Sequence, residues 1–169
     1  ELEVEHNITK EDIKYHLPHT KEEFESLNLE IHYLGHYIQF HPQKNYYFAR
    51  EKVGFIPNNQ RTEGTFSRYN SLDDKLDGFH YWTGYIKFGL GRASFEASQE
   101  VRNGDLTREE AVALVHKYDG ELPKRYFQEV LNYLDLNEKE FIEIANTFRP
   151  KHLWRKNKLG EYELKNMVI

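Results

Sequence analysis

The chain has 169 residues, which is a typical length for one domain with a single hydrophobic core. Its formal net charge of -5 gives no broad attraction to phosphate backbones, so nucleic-acid binding would need a locally concentrated basic patch. The sequence contains no cysteine, which excludes disulfides, thiolate nucleophiles and thiolate metal ligands.

The composition and the N-terminal residues favour a soluble, cytoplasmic protein. No apolar run approaches the ~20 residues that a membrane span requires, and no basic segment followed by an apolar segment indicates a secretory signal. With 12 Tyr and 11 Phe, the core should be rich in aromatic rings. The chain begins at Glu1 and its only methionine is Met167, so we expect it to be part of a longer protein.

The first part of the chain is predicted to contain little helix. Residues 1–30 are highly polar and show no sustained period, so we interpret them as a polar lead-in to a single helical domain over residues 31–169. Residues 31–40 mix β-branched and aromatic side chains, which favours a short strand. A short helix is predicted around residues 43–52, ending at Gly54.

A polar loop and two helices are predicted next. Residues 54–70 are dense in Pro, Asn, Gly, Thr and Ser, which marks a loop. Ser71 is a suitable N-cap for the first helix, with Asp73 and Asp74 in its first turn, where the helix dipole favours negative charge. Glycines break this helix before a second one over about residues 92–103.

Three further helices carry clear end signals. Thr107 with Glu110 forms a capping-box pattern ahead of an apolar stripe. Asn137 with Glu140 repeats that pattern, and Pro123 is suited to the first position of the helix between them. The C-terminal tail fits either a small hairpin or an extended arm. The fold class is therefore predicted to be mainly α, a compact domain of about five helices with the short strand near its start and a hairpin at its end.

Two polar helix faces are the first candidates for a functional site. Spacings of three, four and seven place four side chains on one face of the first helix, namely Asp73, Asp77, His80 and Lys87. The second helix has a matching face made of Arg92, Glu96, Glu100 and Asn103. If both faces meet a cleft, they bring acid, base and cation groups around a polar substrate. The alternative is a pair of solvated faces with ion pairs between successive turns.

Phosphate-loop and metal sites are not favoured. The glycine-rich stretch IKFGLGRAS follows a helical pattern and lacks a Walker-type ending, which indicates close helix packing, although Arg92 is a candidate clamp for phosphate or carboxylate. The three neighbouring histidines His32, His36 and His41 form no HExxH motif, and we predict no metal site. The basic tail around Trp154 favours a solvated segment or a subunit contact over nucleic-acid binding.

Three blocks of sequence together resemble one enzyme family. The longest block runs from FIPNNQRTEGTFSRYN to GELPKRYF; YLGHYIQFHPQKNYYFARE precedes it and FRPKHLW follows it. In this order they resemble the C-terminal part of the N-acetyl sugar amidotransferases of the WbpG and PseA type, which belong to the PP-loop ATP pyrophosphatases. The resemblance covers about residues 31–154, most of the chain, and does not extend to the lead-in.

The resemblance implies a reaction, cofactors and partners. In this family an N-terminal α/β domain with an SGGxDS loop binds ATP and Mg²⁺ and adenylates an amide oxygen, and ammonia from a glutaminase then displaces AMP. An acetamido group of a nucleotide sugar, or of a nonulosonic acid of the pseudaminic or legionaminic type, becomes an acetamidino group. The pathways implied are those of lipopolysaccharide O-antigen or flagellar glycan, and the implied partners are glutaminase and cyclase-like subunits.

The chain departs from the whole-family pattern because it contains no SGGxDS motif. We therefore expect the ATP-binding half to lie outside these residues, and expect this part alone to bind no cofactor and to be inactive. The resemblance implies three candidate catalytic groups, which are His80, Asp73 and Glu63. It implies candidate substrate contacts at Arg61, Thr65, Arg68, Asp74, Lys87, Arg92, Glu100 and Arg102. Among these, Lys87 and Arg92 would offset phosphate or carboxylate charge, and His80 would move a proton during ammonia attack.

A non-catalytic helical interaction or adaptor module is the alternative function, because capped amphipathic helices serve both purposes. The two hypotheses differ in the placement of four side chains, which are Asp77, His80, Lys87 and Arg92. The enzyme hypothesis predicts that these side chains converge on one cleft. The adaptor hypothesis predicts that they point to separate patches of the surface.

Overall fold

The computed structural model describes residues 8–169 and is mainly helical, as predicted. Within these residues it contains eight α-helices, one 3₁₀ turn at Lys14–His16 and one two-stranded antiparallel sheet. The helices are α1 (Lys21–Ser26), α2 (Leu34–Tyr37), α3 (Pro42–Val53), α4 (Asp77–Phe88), α5 (Arg92–Asn103), α6 (Arg108–Tyr118), α7 (Phe127–Leu134) and α8 (Glu138–Thr147). The strands are β1 (Trp154–Lys156) and β2 (Tyr162–Leu164). In the described part of the chain, no helix is long and apolar enough to cross a membrane.

The described residues divide into two units, one up to Phe40 and one from His41 to the C-terminus. In the first unit, Thr20 and Glu23 form a capping box at the start of α1, with side-chain to backbone hydrogen bonds of 2.9 and 3.2 Å. The strand predicted near residues 31–40 is wrong, because α2 occupies the middle of this segment. A strand needs a neighbour for its backbone hydrogen bonds, and the only sheet in residues 8–169 is the C-terminal hairpin.

Helix α3 is held at both ends by local sequence signals. His41 is its N-cap, because the imidazole Nδ1 accepts from the Lys44 N–H at 3.4 Å, and Pro42 occupies the first helical position. Gly54 ends the helix at φ 71°, a left-handed conformation that glycine adopts readily because it has no Cβ. The predicted helix ending at Gly54 is therefore confirmed.

The helix predicted from Ser71 begins later, at Asp77. Ser71 has φ 55°, which is not helical, and its hydroxyl contacts the Asp77 carboxylate and the Arg92 guanidinium. The Asp74 carboxylate accepts from the N–H of Leu76, the residue just before α4, at 2.7 Å. Tertiary contacts of Ser71 thus override the local capping signal, and the loop extends to residue 76.

The hydrophobic core lies between α4, α7 and α8. Its buried side chains are Phe79, Trp82, Ile86, Val130, Leu131, Phe141 and Ala145. Phe141 stacks on Trp82 with ring centroids 5.8 Å apart and meets Phe79 edge-on at 6.1 Å. Full burial of each large apolar side chain contributes about 1.5–3 kcal/mol. The packing of these three helices therefore fixes the position of α4, which follows the polar loop.

Helices α5 and α6 form the most extensive helix pair. They approach each other through small buried residues, which are Ala93, Ala97 and Ala111. The predicted capping box of Thr107 and Glu110 is present at the start of α6, with hydrogen bonds of 2.9 and 3.2 Å. The predicted capping box of Asn137 and Glu140 starts α8, at 2.9 and 3.0 Å. Both predictions are confirmed.

Helix α7 begins at Phe127 and not at Pro123 as predicted. The backbone N–H groups of Lys124 and Arg125 donate to the Glu63 carboxylate at 2.8 and 3.2 Å. Residues that would form the first turn of the helix are therefore bound to the polar loop. Proline at a suitable position permits a helix start but does not enforce one when a carboxylate competes for the following N–H groups.

The C-terminal tail forms a hairpin, which decides between the two forms that the sequence allowed. Strands β1 and β2 pair so that Trp154 lies opposite Leu164, and Gly160 in the connecting turn has φ 81°. The Trp154 indole N–H donates to the backbone carbonyl of Ile86 at 2.8 Å, and the ring is buried. The hairpin is thus attached to helix α4.

Candidate functional site

Arg92 lies at the centre of a buried polar cluster that joins α4, α5 and the loop over residues 54–76. Its Nε donates to the Glu96 carboxylate at 2.9 Å, and an Nη atom donates to the Asp77 carboxylate at 2.8 Å. Its Cζ lies 4.2 Å from the centroid of the Tyr81 ring, close enough for a cation–π contact. We call the following side chains the Arg92 cluster: Arg92, Asp77, Glu96, Ser71, Thr65 and Asn70.

Glu96 binds the polar loop to α5. Its Oε2 accepts from the Thr65 hydroxyl at 2.6 Å, and its Oε1 accepts from the Asn70 amide at 2.8 Å as well as from Arg92. Thr65 is fully buried and Glu96 is 8% exposed, so these bonds form away from water. Because an unpaired polar group is costly in such surroundings, the conformation of the loop depends on Glu96.

Two carboxylates neutralise Arg92 inside the cluster. Burial disfavours the charged form of Arg92, but hydrogen bonds to Asp77 and Glu96 outweigh burial and raise its pKa. One cation between two carboxylates leaves an excess of negative charge. In this structure the guanidinium is therefore occupied by its own chain, and the cluster supports the loop.

Arg61 forms a second internal ion pair of the loop. Its two Nη atoms donate to the two oxygens of the Glu121 carboxylate, each at 2.6 Å, and its Cζ lies 4.5 Å from the Tyr118 ring centroid. Glu121 also accepts from the Gly64 N–H at 2.8 Å. The bidentate hydrogen bonds raise the pKa of Arg61 and lower that of Glu121. This pair fixes the loop to the segment that follows α6.

Glu100 lies one turn beyond Glu96 on α5, but its surroundings are acidic. Burial, a hydrogen bond with Asp105 and the nearby charges of Asp105 and Glu96 raise the pKa of Glu100 from 4.5 to about 7. Oδ2 of Asp105, a residue in the turn between α5 and α6, lies 3.2 Å from Nε2 of the buried His41. Burial and these carboxylates also raise the pKa of Tyr69 to about 12.

The acid pair Glu100 and Asp105 is incompletely hydrogen-bonded. Glu100 is 3% exposed, and its Oε2 has no hydrogen-bond partner within the described residues. Across the same residues, no group of three or more histidine, aspartate or glutamate side chains is arranged to hold a metal ion. The surroundings of Glu100 therefore disfavour the ionised form of its carboxyl group.

The other residues that the resemblance implied divide between backbone contacts and exposed positions. Glu63 accepts from the N–H groups of Lys124 and Arg125, and Asp74 accepts from the N–H of Leu76. Both carboxylates thus hold their own chain in place. Asp74 is exposed, and so are Arg68, Asp73, His80, Lys87 and Arg102.

The polar face predicted on the first helix is divided. Asp77 turns to Arg92, whereas His80 and Lys87 line a mainly apolar groove of about 570 Å³ between α4 and α8. Asp73 lies in the loop because α4 starts only at Asp77. The structure therefore brings Asp77 and Arg92 together and places His80 and Lys87 in the groove.

Sequence reasoning missed Asp119, which fixes the start of α5. Its carboxylate accepts from the N–H groups of Gly91 and Ser94, each at 3.0 Å, and from the Ser94 hydroxyl at 2.5 Å. A Cβ at residue 91 would lie 2.6 Å from Oδ1 of Asp119, so glycine alone fits without displacing this carboxylate. The sequence did offer one signal: Gly91 stands at the N-cap position of α5, where a polar side chain would be usual, so the cap had to come from another residue. His41 and Asp105 were also missed, because nothing local links them.

The loop, the helices α4–α8 and the hairpin largely coincide with a known family. The family model described as the C-terminal domain of WbpG-like lipopolysaccharide (LPS) biosynthesis proteins matches residues 63–168, more than half of the chain. No curated protein matches the chain. A family match of this extent places the chain among proteins of lipopolysaccharide biosynthesis. The chain belongs to the WbpG-like C-terminal domain family, as the resemblance in its sequence predicted.

Proposed function

We propose that this chain is the C-terminal part of an ATP-dependent amidotransferase of lipopolysaccharide O-antigen or flagellar-glycan biosynthesis. The enzyme converts an acetamido group of a nucleotide sugar or nonulosonic acid to an acetamidino group with glutamine-derived ammonia. The observation that carries the proposal is the family match over residues 63–168, which includes α4–α8 and the hairpin. The earlier resemblance, on blocks that begin before residue 63, supports the same assignment.

The proposal divides the reaction between two parts of the enzyme. Because the chain has no SGGxDS motif, we assign none of its residues to ATP or Mg²⁺. The ATP-binding half would supply the activation of the amide oxygen. The present domain would hold the acceptor sugar and contact the glutaminase and cyclase-like subunits.

Arg68 is the best-placed contact for the acceptor. Its side chain is exposed and makes no hydrogen bond or ion pair within the described residues. Its backbone carbonyl accepts from the Asn58 N–H at 3.0 Å, so its place in the loop is fixed. A guanidinium binds phosphate and carboxylate bidentately, which suits a nucleotide sugar or a nonulosonic acid. Asp73, exposed in the same loop, is suited to accept from sugar hydroxyls.

The Arg92 cluster supports this role indirectly. Thr65 and Ser67 are buried just before Arg68, and Glu96 holds the Thr65 hydroxyl. A binding residue on a loop whose neighbours are fixed loses less conformational freedom when the ligand binds. The buried polar residues thus position the loop, and the exposed residues meet the substrate.

Thermal unfolding with ligands tests the proposal on the chain as it is. A UDP-linked N-acetyl sugar or a free nonulosonic acid should raise Tm, whereas ATP should not, because only a ligand of the folded state stabilises it. Arg68→Ala should abolish the shift. Arg50→Ala is the matched control, because Arg50 on α3 is also exposed and has no side-chain partner in the described residues. A shift with ATP alone, or none with any acetamido ligand, would contradict the proposal.

The adaptor hypothesis has one specific observation in its favour. His80 and Lys87 do not join Asp77 and Arg92 but line a groove that is otherwise mainly apolar. Such a groove suits a polypeptide better than a sugar. An acetamido ligand that binds through Arg68 would argue for the enzyme, and its absence would leave the adaptor as the better account.

A further inference from the structure

Two apolar grooves adjoin on the surface of the helical unit. The first, of about 570 Å³, lies between α4 and α8. The second, of about 690 Å³, lies between α5 and α6. Tyr81 and Leu90 line both grooves, so the turn that connects α4 to α5 forms the ridge between them.

Large apolar side chains surround this ridge and are exposed to solvent. Phe88 is 62% exposed, Leu90 is 70% exposed and Phe95 is 60% exposed. Phe148, at the far end of α8, is also 60% exposed. Contiguous apolar surface rimmed by polar groups marks sites where another molecule binds. The apolar residues on the opposite face of α4, in contrast, are buried in the core.

Apart from Tyr81, the charged and titratable residues that line the grooves are all cationic or histidine. They are His80, Lys87, Arg102 and Arg108. No aspartate or glutamate of the described residues lines either groove, although the chain has a net charge of -5. Lys87 and Arg102 form no ion pair with a carboxylate within residues 8–169. The rims therefore offer positive charge to an occupant.

We propose that the two grooves together bind an amphipathic helix of a partner protein, with its apolar side chains against Phe88 and Leu90 and acidic side chains facing Lys87 and Arg102. Helices α4 and α5 have 12 residues each, so a docked helix has roughly 18 Å of wall to follow. Helix-in-groove recognition uses apolar anchors at one face of the bound helix, and rim charges orient it and speed the encounter. This partner site is independent of the acceptor chemistry proposed above.

Fluorescence anisotropy with designed peptides tests the occupant directly. The probes are an amphipathic Leu/Glu helix, the same helix with Lys in place of Glu, and a scrambled peptide of the first composition. The acidic amphipathic helix should bind about tenfold more tightly than either of the other two, a difference of about 1.4 kcal/mol. Equal binding of the acidic and basic helices, or no binding of the acidic one, would overturn the proposal.

Surface variants locate the site. Leu90→Glu should abolish binding of the acidic helix, because it removes an apolar contact at the ridge and adds repulsion. Leu159→Glu is the matched control, since Leu159 lies in the hairpin turn and is 82% exposed. The double variant Lys87→Glu and Arg102→Glu should reverse the preference towards the basic helix. These side chains are exposed, so the variants should unfold at the same temperature as the parent chain. Equal binding by the Leu90→Glu and Leu159→Glu variants would place the peptide elsewhere and sink the idea.

Two other occupants have distinct outcomes. Concentration-dependent dimers in sedimentation that Leu90→Glu abolishes would assign the grooves to a second copy of the chain. Cosedimentation with phosphatidylserine vesicles that Leu90→Glu abolishes would assign them to an anionic membrane surface. Either result overturns the partner-helix proposal, and a monomer that ignores vesicles but binds the acidic helix supports it.

Discussion

Glu96 and Glu100 lie one turn apart on α5, and both are buried, yet their surroundings differ. Glu96 accepts hydrogen bonds from two loop side chains and from Arg92. Glu100 faces Asp105, and its Oε2 has no partner in the described part of the chain. Helix periodicity places both carboxylates on one face, but residues of other segments decide which of them is fully hydrogen-bonded.

Removing the Arg92 guanidinium, which pairs with Glu96, should have the largest effect on stability. Arg92→Ala leaves the carboxylates of Asp77 and Glu96 without their partner, and breaking one side of a buried ion pair costs about 3–5 kcal/mol. The free energy of unfolding in urea should fall by this amount. Arg102→Ala, at an exposed position of the same helix, should change it by about 0.5 kcal/mol or less. Equal losses in the two variants would contradict the supporting role of the Arg92 cluster.

Glu100 should make the stability fall as the pH rises. Its pKa is raised from 4.5 to about 7, so the folded chain keeps this carboxyl protonated where the unfolded chain has released its proton. Its stabilising contribution is fully present below the ordinary pKa of 4.5 and is lost as the pH rises through about 7. Since one pKa unit corresponds to about 1.4 kcal/mol, the loss should be on the order of 3 kcal/mol.

Glu100→Gln separates this contribution from those of other groups. The amide keeps the shape of the side chain and does not ionise, so the unfolding free energy should depend less on pH and exceed that of the parent chain above pH 7. Glu143→Gln, at an exposed position of α8, should keep the parent pH dependence. If Glu100→Gln retains the full slope, another group is responsible for it.

The smallest effect should come from removing one of the donors to Glu96. Thr65→Val keeps the volume of a fully buried side chain but deletes the hydroxyl that donates at 2.6 Å. The loss should be about 1 kcal/mol, because Glu96 keeps its other hydrogen bonds. Thr147→Val, which removes an exposed hydroxyl that donates to the Ile144 carbonyl, should have less effect in the same urea titration. A larger loss for Thr147→Val would show that Glu96 does not depend on Thr65.

Helix ends that depend on neighbouring residues were predicted well from sequence. The capping box of Thr107 and Glu110 is present, and Gly54 and Gly104 end their helices in the left-handed conformation. The two wrongly predicted helix starts share one cause. Ser71 and the residues after Pro123 are held by side chains far away in the chain, and those contacts outweigh the local signals.

The candidate site was harder to predict, because its pairs are distant in sequence. Arg61 and Glu121 are 60 residues apart, and no spacing rule connects them. Helical spacing did indicate that Arg92 and Glu96 share a face, and they do form an ion pair. It could not indicate that a loop would cover that face, since loop placement depends on Thr65 and the residues around it.

The two tryptophans of the protein are connected through α4: Trp82 is part of this helix, and Trp154 is hydrogen-bonded to it. Trp82 stacks on Phe141 in the core, and Trp154 in the hairpin donates to the backbone carbonyl of Ile86. Indole emission therefore originates entirely from the unit that starts at His41. Two single-tryptophan versions of the chain would report separately on the release of the hairpin and on the melting of the helical core, without any added label.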